Sequence, residues 1–312
     1  MPLVDLSRKP VAPPNRNESR TTLSAPPPPP RLRKGEILPK GSGFRYIFSL
    51  LAFALEILGW NPDLKQREAL NARRARRVLN WARQCGKTET AAIIAIHVAC
   101  TRPGSLTVII GAVGDHINTF FDRIDQFLDQ AAALAAEKKG NPEAIDDHTA
   151  WLGGPVTKTS AANHRVIRRF PNRSRILGLT TRKAVRSHTA RLIILDEAGD
   201  IEGPVWEGVL PTLATTDGDI LVIGTPKGAK GWYYDLWKNP HNTQGPRGWF
   251  KSQYPASENP RISPEYLAEM RLTKGEAWMR QEFGCEFLHD GQSLLHPDDI
   301  DKLFVSRPDR GR

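Results

Sequence analysis

A run of six residues carries the groups that a protein needs to hold a triphosphate: Arg83, Gln84, Cys85, Gly86, Lys87 and Thr88. Gly86 lets the backbone approach a phosphate closely, Lys87 would reach the β- and γ-phosphates of ATP, and Thr88 would offer its hydroxyl to Mg²⁺. A helix that begins here would add the partial positive charge of its N-terminus. The consensus loop has another glycine five residues before Gly86, where this chain has Trp81, so the run alone is an incomplete signal.

Two adjacent carboxylates, Asp196 and Glu197, follow the apolar run Leu192–Leu195. A buried strand that ends in Asp196 would place this carboxylate at the carboxyl edge of a sheet, beside the metal ion. Glu197 would then orient and deprotonate the attacking water. Two acids after a strand are alternatively explained as the N-cap of a helix. A phosphate-binding loop followed by an Asp-Glu strand is the order of P-loop ATPases, so the pair predicts hydrolysis of ATP with Mg²⁺.

Two further polar residues, Thr225 and Gln66, could also contact the ATP molecule. Thr225, in the run Gly224-Thr225-Pro226 after the next apolar strand, would sense the γ-phosphate with its hydroxyl; the alternative is a simple turn. Gln66 precedes the loop, and its side-chain amide can both donate to and accept from the edge of adenine. A lone glutamine between two basic residues is usually a surface residue, so the role of Gln66 depends on the other motifs.

Short β-rich runs that alternate with helical runs must position these residues. The predicted strands are 78–82, 106–113, 165–170, 175–180, 192–195, 220–223 and 249–254, and the predicted helices are 90–100, 120–139 and 264–284. The strands 165–170 and 175–180 flank the turn 171–174 and are a candidate hairpin. Strands that alternate with helices predict an α/β fold with a mostly parallel sheet flanked by helices.

The first 60 residues divide into two segments of opposite character. Residues 1–43 include five consecutive prolines and many polar residues, which predict a disordered, Pro-rich basic arm. Residues 46–60 are strongly apolar, but the unbroken apolar stretch is about half of the roughly 20 residues that span a bilayer. We therefore expect a buried or docking helix and no membrane segment, with a membrane or partner-binding helix as the alternative.

The formal net charge of +10 is concentrated in three segments. Residues 1–45, 65–87 and 148–195 carry net charges of +6, +7 and +10, and the last segment contains no acidic side chain. Clustered positive charge predicts a polyanionic partner such as nucleic acid, although a solvated basic surface explains the composition equally well. Only three cysteines are present, without metal-ligand spacing, so a disulfide scaffold is excluded and the thiols are expected to be reduced.

In this order, Gln66, the runs 83–88 and 192–198 and the Gly-Thr-Pro at 224–226 resemble the large terminase subunit of tailed bacteriophages. The resemblance covers roughly residues 62–296 and includes the runs 231–234 and 278–287. It implies a P-loop NTPase fold of ASCE type and a motor that uses ATP to drive double-stranded DNA into a procapsid in the host cytoplasm. A portal protein and a small terminase subunit are its implied partners, and a ring of identical subunits is its implied assembly.

The resemblance also assigns a role to each motif. For binding, Gln66 is implied to contact adenine, and Arg83 is implied to reach the phosphates of its own subunit. Lys87 and Thr88 are implied to bind the triphosphate and Mg²⁺, with Asp196 as a further Mg²⁺ ligand. For the reaction, Glu197 is implied to be the general base, and Thr225 the residue that couples hydrolysis to movement. An arginine from a neighbouring subunit is expected as well. Arg182 and Arg186 are weak candidates for it, because contacts to DNA or a solvated surface explain them better.

One departure from the family concerns the nuclease. Large terminases usually continue into a nuclease domain of RNase H type, whereas the acidic residues beyond 288 here have no following sheet to gather them. We expect a motor domain at 44–288 that ends in a helical lid or linker, and a tail or truncated nuclease start at 289–312. The chain is then expected not to cut DNA: either a separate chain supplies the nuclease, or the gene is truncated or split. A helicase-like translocase outside packaging and a non-catalytic remnant that binds DNA or a portal are the alternatives.

Overall fold

An eight-stranded sheet lies at the centre of the protein, in a computed structural model that describes residues 44–72, 76–139, 156–161, 165–181, 188–244 and 248–289. The strands are β1 (Arg76–Trp81), β2 (Leu106–Gly111), β3 (Thr157–Ala161), β4 (Arg165–Arg169), β5 (Arg175–Thr180), β6 (Leu192–Asp196), β7 (Asp219–Gly224) and β8 (Phe250–Tyr254). Their order across the sheet is β3-β4-β5-β2-β6-β7-β1-β8. Strand β7 therefore lies between the strand that leads into the Gly-Lys-Thr run and the strand that ends in Asp196.

Most neighbouring strands are parallel, which confirms the predicted fold class. The exceptions are β3 with β4 and β4 with β5, which are antiparallel; the second pair is the predicted hairpin. Because β1, β6 and β7 run in one direction, their carboxyl ends meet at one edge of the sheet. We call this edge the carboxyl edge, and the opposite edge, where the same strands begin, the amino edge.

Helices cover the sheet. They are α1 (Phe44–Phe48), α2 (Leu50–Ala52), a π-helix (Phe53–Ile57), α3 (Leu64–Asn71), α4 (Lys87–Thr101), α5 (Gly114–Lys139), α6 (Gly203–Thr212), α7 (Gly231–Lys238), α8 (Pro264–Lys274) and α9 (Glu276–Glu282), with short 3-10 helices at Ala198–Asp200, Pro240–Thr243 and Ala256–Glu258. The helix predicted over 264–284 is thus two helices. They separate at Gly275, whose φ of 84° lies in a region that other residues rarely adopt.

The two faces of the sheet carry separate apolar cores, because successive side chains of a strand point to opposite faces. On β1 and β2, Leu79 and Ile109 pack in a core with helices α4 and α5 and the N-terminal helices. Their neighbours Val78 and Val108 pack in a second core with α6 and α7. A sheet that is buried on both faces explains why its strands read as continuous apolar runs rather than alternating ones.

The apolar segment 46–60 packs on the first of these cores, as predicted for a buried helix. It is not one continuous helix, since α1, α2 and the π-helix follow one another between Phe44 and Ile57. Tyr46 is buried, its hydroxyl donates to Glu56 over 2.8 Å, and its carbonyl lies 2.8 Å from Nε2 of His97 on α4. Among the residues that the structure describes, no helix is long and apolar enough to cross a membrane.

Candidate nucleotide-binding site

The run 83–88 forms the loop between β1 and α4 at the carboxyl edge. The loop needs two residues in the left-handed region, Gln84 with a φ of 62° and Gly86 with a φ of 78°. The 15-residue helix α4 begins directly afterwards at Lys87, so its unpaired N–H groups and positive end face the loop. This strand–loop–helix arrangement is the one that a phosphate-binding loop requires.

Trp81, which replaces the first consensus glycine, is the last residue of β1 and is fully buried. Its indole Nε1 donates to Ser252 Oγ over 3.0 Å, and its ring meets the ring of Tyr254 edge-on at 5.5 Å between centroids. The side chain therefore points into the core beside β8 and away from the space above the loop. The departure from the consensus leaves the path of the loop intact.

Lys87 is buried and its ammonium group is fully engaged. Nζ donates to the carbonyls of Trp81 and Ala82 at 2.8 and 3.0 Å and to Thr225 Oγ1 at 3.2 Å. Two predicted site residues from distant parts of the chain, Lys87 and Thr225, are thus in direct contact. The carbonyl partners hold the cation over the loop, where a triphosphate would meet it.

Asp196 ends β6 at the same edge and is almost completely buried. Burial, followed by the negative charge of Glu197, raises the pKa of Asp196 to about 7, whereas Lys87 acts in the opposite direction. A carboxylate in such a place needs a nearby cation to stay ionised. Glu197 has a φ of 51°, an uncommon conformation for a residue with a side chain, and its N–H donates to Asp196 Oδ1 at 3.0 Å.

The oxygen donors at this edge fit Mg²⁺. Thr88, the second residue of α4, offers a hydroxyl, and Asp196 offers a carboxylate, which are ligands that Mg²⁺ prefers. Mg²⁺ usually binds through one or two protein groups together with phosphates and water rather than in a protein cage. In keeping with this, the described part of the chain contains no group of three or more His, Cys, Asp or Glu side chains that could hold a metal ion.

The loops that follow β6 and β7 are packed tightly against each other. A Cβ atom at Gly224 would lie 2.9 Å from the backbone nitrogen of Ala198, and one at Gly199 would lie 3.1 Å from the carbonyl oxygen of Thr225. Lys227 and Asp200 add an ion pair between the same loops. The loop with Thr225 is therefore in direct contact with the loop that follows Glu197.

Gln66 has partners that the sequence did not reveal. Its side chain is fully buried, where Oε1 accepts from the N–H of Asp63 at 2.9 Å and Nε2 donates to the carbonyl of Cys85 at 3.2 Å. Asp63 and Gln66 form a capping box at the start of α3. Any side chain at Gly86 would collide with Gln66 Nε2, so Gln66 supports the loop from below. Its contact with adenine stays a prediction.

The C-terminal segment holds the loop from its outer side. Arg83 is 65% exposed, and its guanidinium bonds to Glu282 on α9, while its N–H donates to the carbonyl of Glu282 at 3.3 Å. Asn259 Nδ2 donates to the carbonyl of Gln84 at 3.1 Å. Neither Glu282 nor Asn259 was predicted, because nothing local in the sequence links them to the loop. A cis contact of Arg83 with phosphate would require exchange of its Glu282 partner and stays a prediction.

The basic segment 148–195 contains two kinds of cation. Arg168 is buried, with bonds of 2.7 and 2.9 Å to the two carboxylate oxygens of Asp125 on α5, so it is a structural residue. Arg169, Arg173 and Arg175 are exposed at the hairpin between β4 and β5, where Arg169 and Arg175 are directly opposite. Two like charges directly opposite each other on neighbouring strands destabilise the fold, so folding does not explain this pair. The trans candidates Arg182 and Arg186 lie outside the described residues.

All three cysteines are buried and free. Cys85 lies within the phosphate-binding loop, where burial raises the pKa of its thiol. Burial also raises the pKa of Cys100 and of Cys285 to about 12. The thiols are therefore in the protonated form at neutral pH, which is a poor nucleophile, and their reduced state stays a prediction.

Comparisons with known proteins agree with this geometry. The family described as terminase large subunit, T4likevirus-type, N-terminal, matches residues 78–302. The large terminase subunit of Thermus virus P23-45 is 29% identical over 264 residues, which are 77% of this chain and 51% of that protein. The corresponding subunit of Thermus phage G20c is 26% identical over 259 residues, with the same two coverages. The chain therefore spans about half the length of the curated relatives it matches.

Solved structures show the same fold. The large terminase ATPase domain of Thermus phage P74-26 has a TM-score of 0.60 and 25% identity, and the match covers 75% of this chain and 97% of that one. The large terminase of bacteriophage HK97 has a TM-score of 0.58 at 15% identity and covers 77% of this chain and 55% of that one. The family match spans most of the sequence. The loop, the Asp-Glu strand and Thr225 lie together at one edge of the sheet. The chain belongs to the terminase large subunit family.

Proposed function

We propose that this chain hydrolyses ATP with Mg²⁺ and couples the hydrolysis to translocation of double-stranded DNA during genome packaging. The observation that carries the proposal is the meeting of Lys87, Thr225 and the Asp196–Glu197 pair at the carboxyl edge of β1, β7 and β6. The large terminase of a thermophilic bacteriophage, which shares this fold, was crystallised with ATP-γ-S. That complex with an ATP analogue supports ATP as the nucleotide of this chain.

In this function each residue has a physical task. The N–H groups of the loop and of the start of α4 bind the phosphates, and Lys87 exchanges its carbonyl partners for phosphate oxygens. Thr88 and Asp196 would hold Mg²⁺, which neutralises charge on the phosphates when it is bound. Glu197 accepts a proton from the attacking water, and its unusual backbone conformation fixes where the carboxylate stands.

Thr225 is the coupling residue in this proposal, because it is bonded to Lys87 and packed on the Glu197 loop. When Lys87 turns towards a triphosphate, the 3.2 Å bond to Thr225 Oγ1 must break or rearrange. The loop after β7 continues through Lys227, paired with Asp200, into α7. A change at the γ-phosphate is thereby connected to a helix on the opposite face of the sheet from α4.

DNA would contact the exposed arginines of the β4–β5 hairpin. Arg169, Arg173 and Arg175 form a compact cationic surface, and none of their guanidinium groups is in a hydrogen bond or ion pair among the described side chains. Phosphate contacts of this kind give affinity without sequence preference, as a packaging motor needs. The basic segment 65–87 leads into the nucleotide site, so part of its charge serves ATP rather than DNA.

The remaining parts of the proposal rest on the family. A portal protein and a small terminase subunit are the proposed partners, and a ring of identical subunits at the procapsid portal in the host cytoplasm is the proposed working state. A ring would bring a neighbouring subunit's arginine to the triphosphate, with Arg182 or Arg186 as candidates. The catalytic set contained in one subunit is then Lys87, Glu197, Thr225 and, after release from Glu282, Arg83.

The test is steady-state ATP turnover with and without double-stranded DNA. The wild-type chain should hydrolyse ATP, and DNA should change the rate. Lys87→Ala should lose nucleotide binding and turnover together, whereas Glu197→Gln should bind ATP but lose roughly 10²–10⁴ in turnover. Unchanged turnover in both variants would overturn the site assignment. Turnover that does not respond to DNA would overturn the coupling to translocation, and intact ATP binding with no turnover in the wild type would favour a non-catalytic remnant.

A further inference from the structure

A cavity of about 310 Å³ opens at the amino edge of the sheet, on the side away from the nucleotide site. Its walls come from the turn between α1 and α2, the end of α3, the second half of α4 and the first residues of β1, β6 and β7. Because a strand of five or six residues is about 17–20 Å long, this cavity and the phosphate-binding loop are at opposite ends of the same strands.

Three arginines face this cavity: Arg77 on β1, Arg102 after α4 and Arg191 before β6. Of the lining residues that the structure describes, one is acidic: Asp219, whose Oδ1 lies 4.0 Å from Arg191 Nη1. Arg191 is further anchored by a bond of 2.7 Å to the carbonyl of Asp217. No hydrogen bond or ion pair of the Arg102 guanidinium is found within the part of the chain that the structure describes.

Among the described residues that line this cavity, the charges do not balance. His97 also lines it, and burial, reinforced by the positive charges of Arg102 and Arg77, lowers the pKa of His97 to about 4, so its ring is neutral at pH 7. Burial likewise lowers the pKa of Arg77, with Asp219 acting in the opposite direction. Three guanidinium groups and one carboxylate leave a net charge of two positive, which is the charge that a phosphate monoester dianion would neutralise.

The rest of the lining is apolar and has an unusual exposed ring. Leu70, Ile94 and Val98 contribute aliphatic surface, and Phe48, at the mouth, is 80% exposed. An exposed aromatic ring beside a cationic cavity can stack on a nucleobase while the arginines hold its phosphate. We propose that this cavity is a second nucleotide site, which binds a nucleoside 5′-phosphate with its phosphate at Arg77, Arg102 and Arg191 and its base against Phe48.

This site is independent of the proposed ATP hydrolysis. It uses none of the residues at the carboxyl edge, and none of its side chains belongs to the phosphate-binding loop. Experiments on it are therefore made in a Lys87→Ala chain, in which the first site is disabled. If the ATPase proposal fails, these binding measurements can still be interpreted. If no nucleotide binds at this cavity, the ATPase measurements can still be interpreted.

The experiment is calorimetric titration of the Lys87→Ala chain with thymidine 5′-monophosphate, with thymidine, and with inorganic phosphate. The monophosphate should bind, inorganic phosphate should bind more weakly, and thymidine should not bind. Arg102→Gln in the same background should weaken binding of the monophosphate by about tenfold or more, because one charge-assisted contact is lost. Phe48→Ala should weaken the monophosphate several-fold and leave inorganic phosphate unchanged.

The matched control is Arg271→Gln, which removes an exposed arginine from α8, outside the cavity lining. It should not affect any of these affinities, and thermal unfolding should verify that each variant is folded. No binding of the monophosphate, or equal binding by Arg102→Gln and its parent, would overturn the proposal. Equal affinities for thymidine 5′-monophosphate and inorganic phosphate would overturn the assignment of a nucleotide.

The nucleoside phosphate has two sources, a free nucleotide or the 5′ end of a DNA strand. A 5′-phosphorylated thymidine tetranucleotide distinguishes them. Tighter binding of the tetranucleotide than of the monophosphate, lost when its 5′-phosphate is removed, assigns the site to a strand end. The opposite order assigns it to a free nucleotide, and either order, with sensitivity to Arg102→Gln, supports the site.

Discussion

At the carboxyl edge of the sheet, one lysine is surrounded by backbone carbonyls and a threonine, and the loops after β6 and β7 are packed against each other. At the amino edge, three arginines and an aspartate surround a cavity of about 310 Å³. The first edge is built mainly from backbone groups at fixed positions, and the second from long side chains. If both proposals hold, the difference teaches that one sheet can present a rigid anion site at one edge and an adaptable one at the other.

Gly224→Ala should have the largest effect, and it tests the rigidity of the carboxyl edge. Its Cβ would lie 2.9 Å from the backbone nitrogen of Ala198, so the segment with Glu197 must move. We expect a loss of about 1–3 kcal/mol in the free energy of unfolding and a loss of about a hundredfold in ATP turnover. Urea unfolding and a turnover assay measure both.

Gly203→Ala is the matched control for this change, because an added Cβ there meets nothing within 4 Å. It should leave the unfolding free energy and turnover near the wild-type values. Full activity in the Gly224→Ala chain would show that the loops at the carboxyl edge are not tightly coupled.

His97 gives the amino edge a pH dependence opposite in sign to the one that the raised pKa of Asp196 gives the carboxyl edge. Its pKa is lowered to about 4 in the folded chain by burial, whereas the unfolded value is near 6.5. The stability that comes from the neutral ring is therefore complete above about pH 6.5 and is lost as the pH falls towards 4. Between pH 7.5 and 5.5 we expect the free energy of unfolding to fall by about 1 kcal/mol from this group.

The measurement is urea unfolding at the two pH values for the wild type, His97→Gln and His241→Gln. The His97→Gln chain should lose the roughly 1 kcal/mol that His97 contributes to the change in stability between these pH values, since glutamine does not titrate. His241 is exposed on a short 3-10 helix, so its replacement should retain the dependence. An identical pH dependence in all three chains would contradict the role of His97.

Thr225→Val sharpens the comparison at the level of a single bond. Without its hydroxyl, Lys87 loses the partner at 3.2 Å but keeps the two carbonyls. One lost hydrogen bond contributes about 1 kcal/mol, so we expect turnover with DNA to fall about fivefold at little change in nucleotide affinity. Thr225→Ser should restore turnover. A valine chain with normal DNA-dependent turnover would remove Thr225 from the coupling path.

Arg175→Gln should have the smallest effect, because one exposed arginine contributes one phosphate contact. The slope of log K against log salt concentration for DNA binding should decrease in magnitude by about 0.9. Arg271→Gln, which also removes an exposed arginine but on α8, should not change the slope. Fluorescence anisotropy with a labelled duplex at several salt concentrations gives the slopes. Equal slopes for the two variants would exclude Arg175 as a DNA contact.

Residue patterns predicted those parts of the protein in which neighbours along the chain determine the structure. The strand into the loop, the Asp-Glu strand and the hairpin at 165–180 all form as predicted, because apolar runs and turn residues are local signals. Strand β3 was missed because Thr157–Ala161 has no apolar alternation, and α6 because its two prolines and two glycines conceal a helix.

Interactions between distant residues could not be predicted in this way. Arg168 reads as a surface cation, yet it is buried on Asp125, which lies 43 residues earlier. Arg83 meets Glu282 and Lys87 meets Thr225 only because β1 lies between β7 and β8. The order of strands depends on pairing energies summed over the whole sheet, for which a single sequence has no local signature.

The position of β1 between β7 and β8 also has a consequence for biosynthesis. Both neighbours of β1 follow it far along the chain, so this strand has no partner to pair with until β7, which ends at residue 224, has emerged from the ribosome. Pairing between strands that are distant in sequence is slow, because the entropy of closing a long loop is lost before any stabilising contact forms. The strand that leads into Lys87 must therefore be among the last to join the sheet. Its second edge stays open to chaperones or to aggregation until β8, which ends at residue 254, has also emerged.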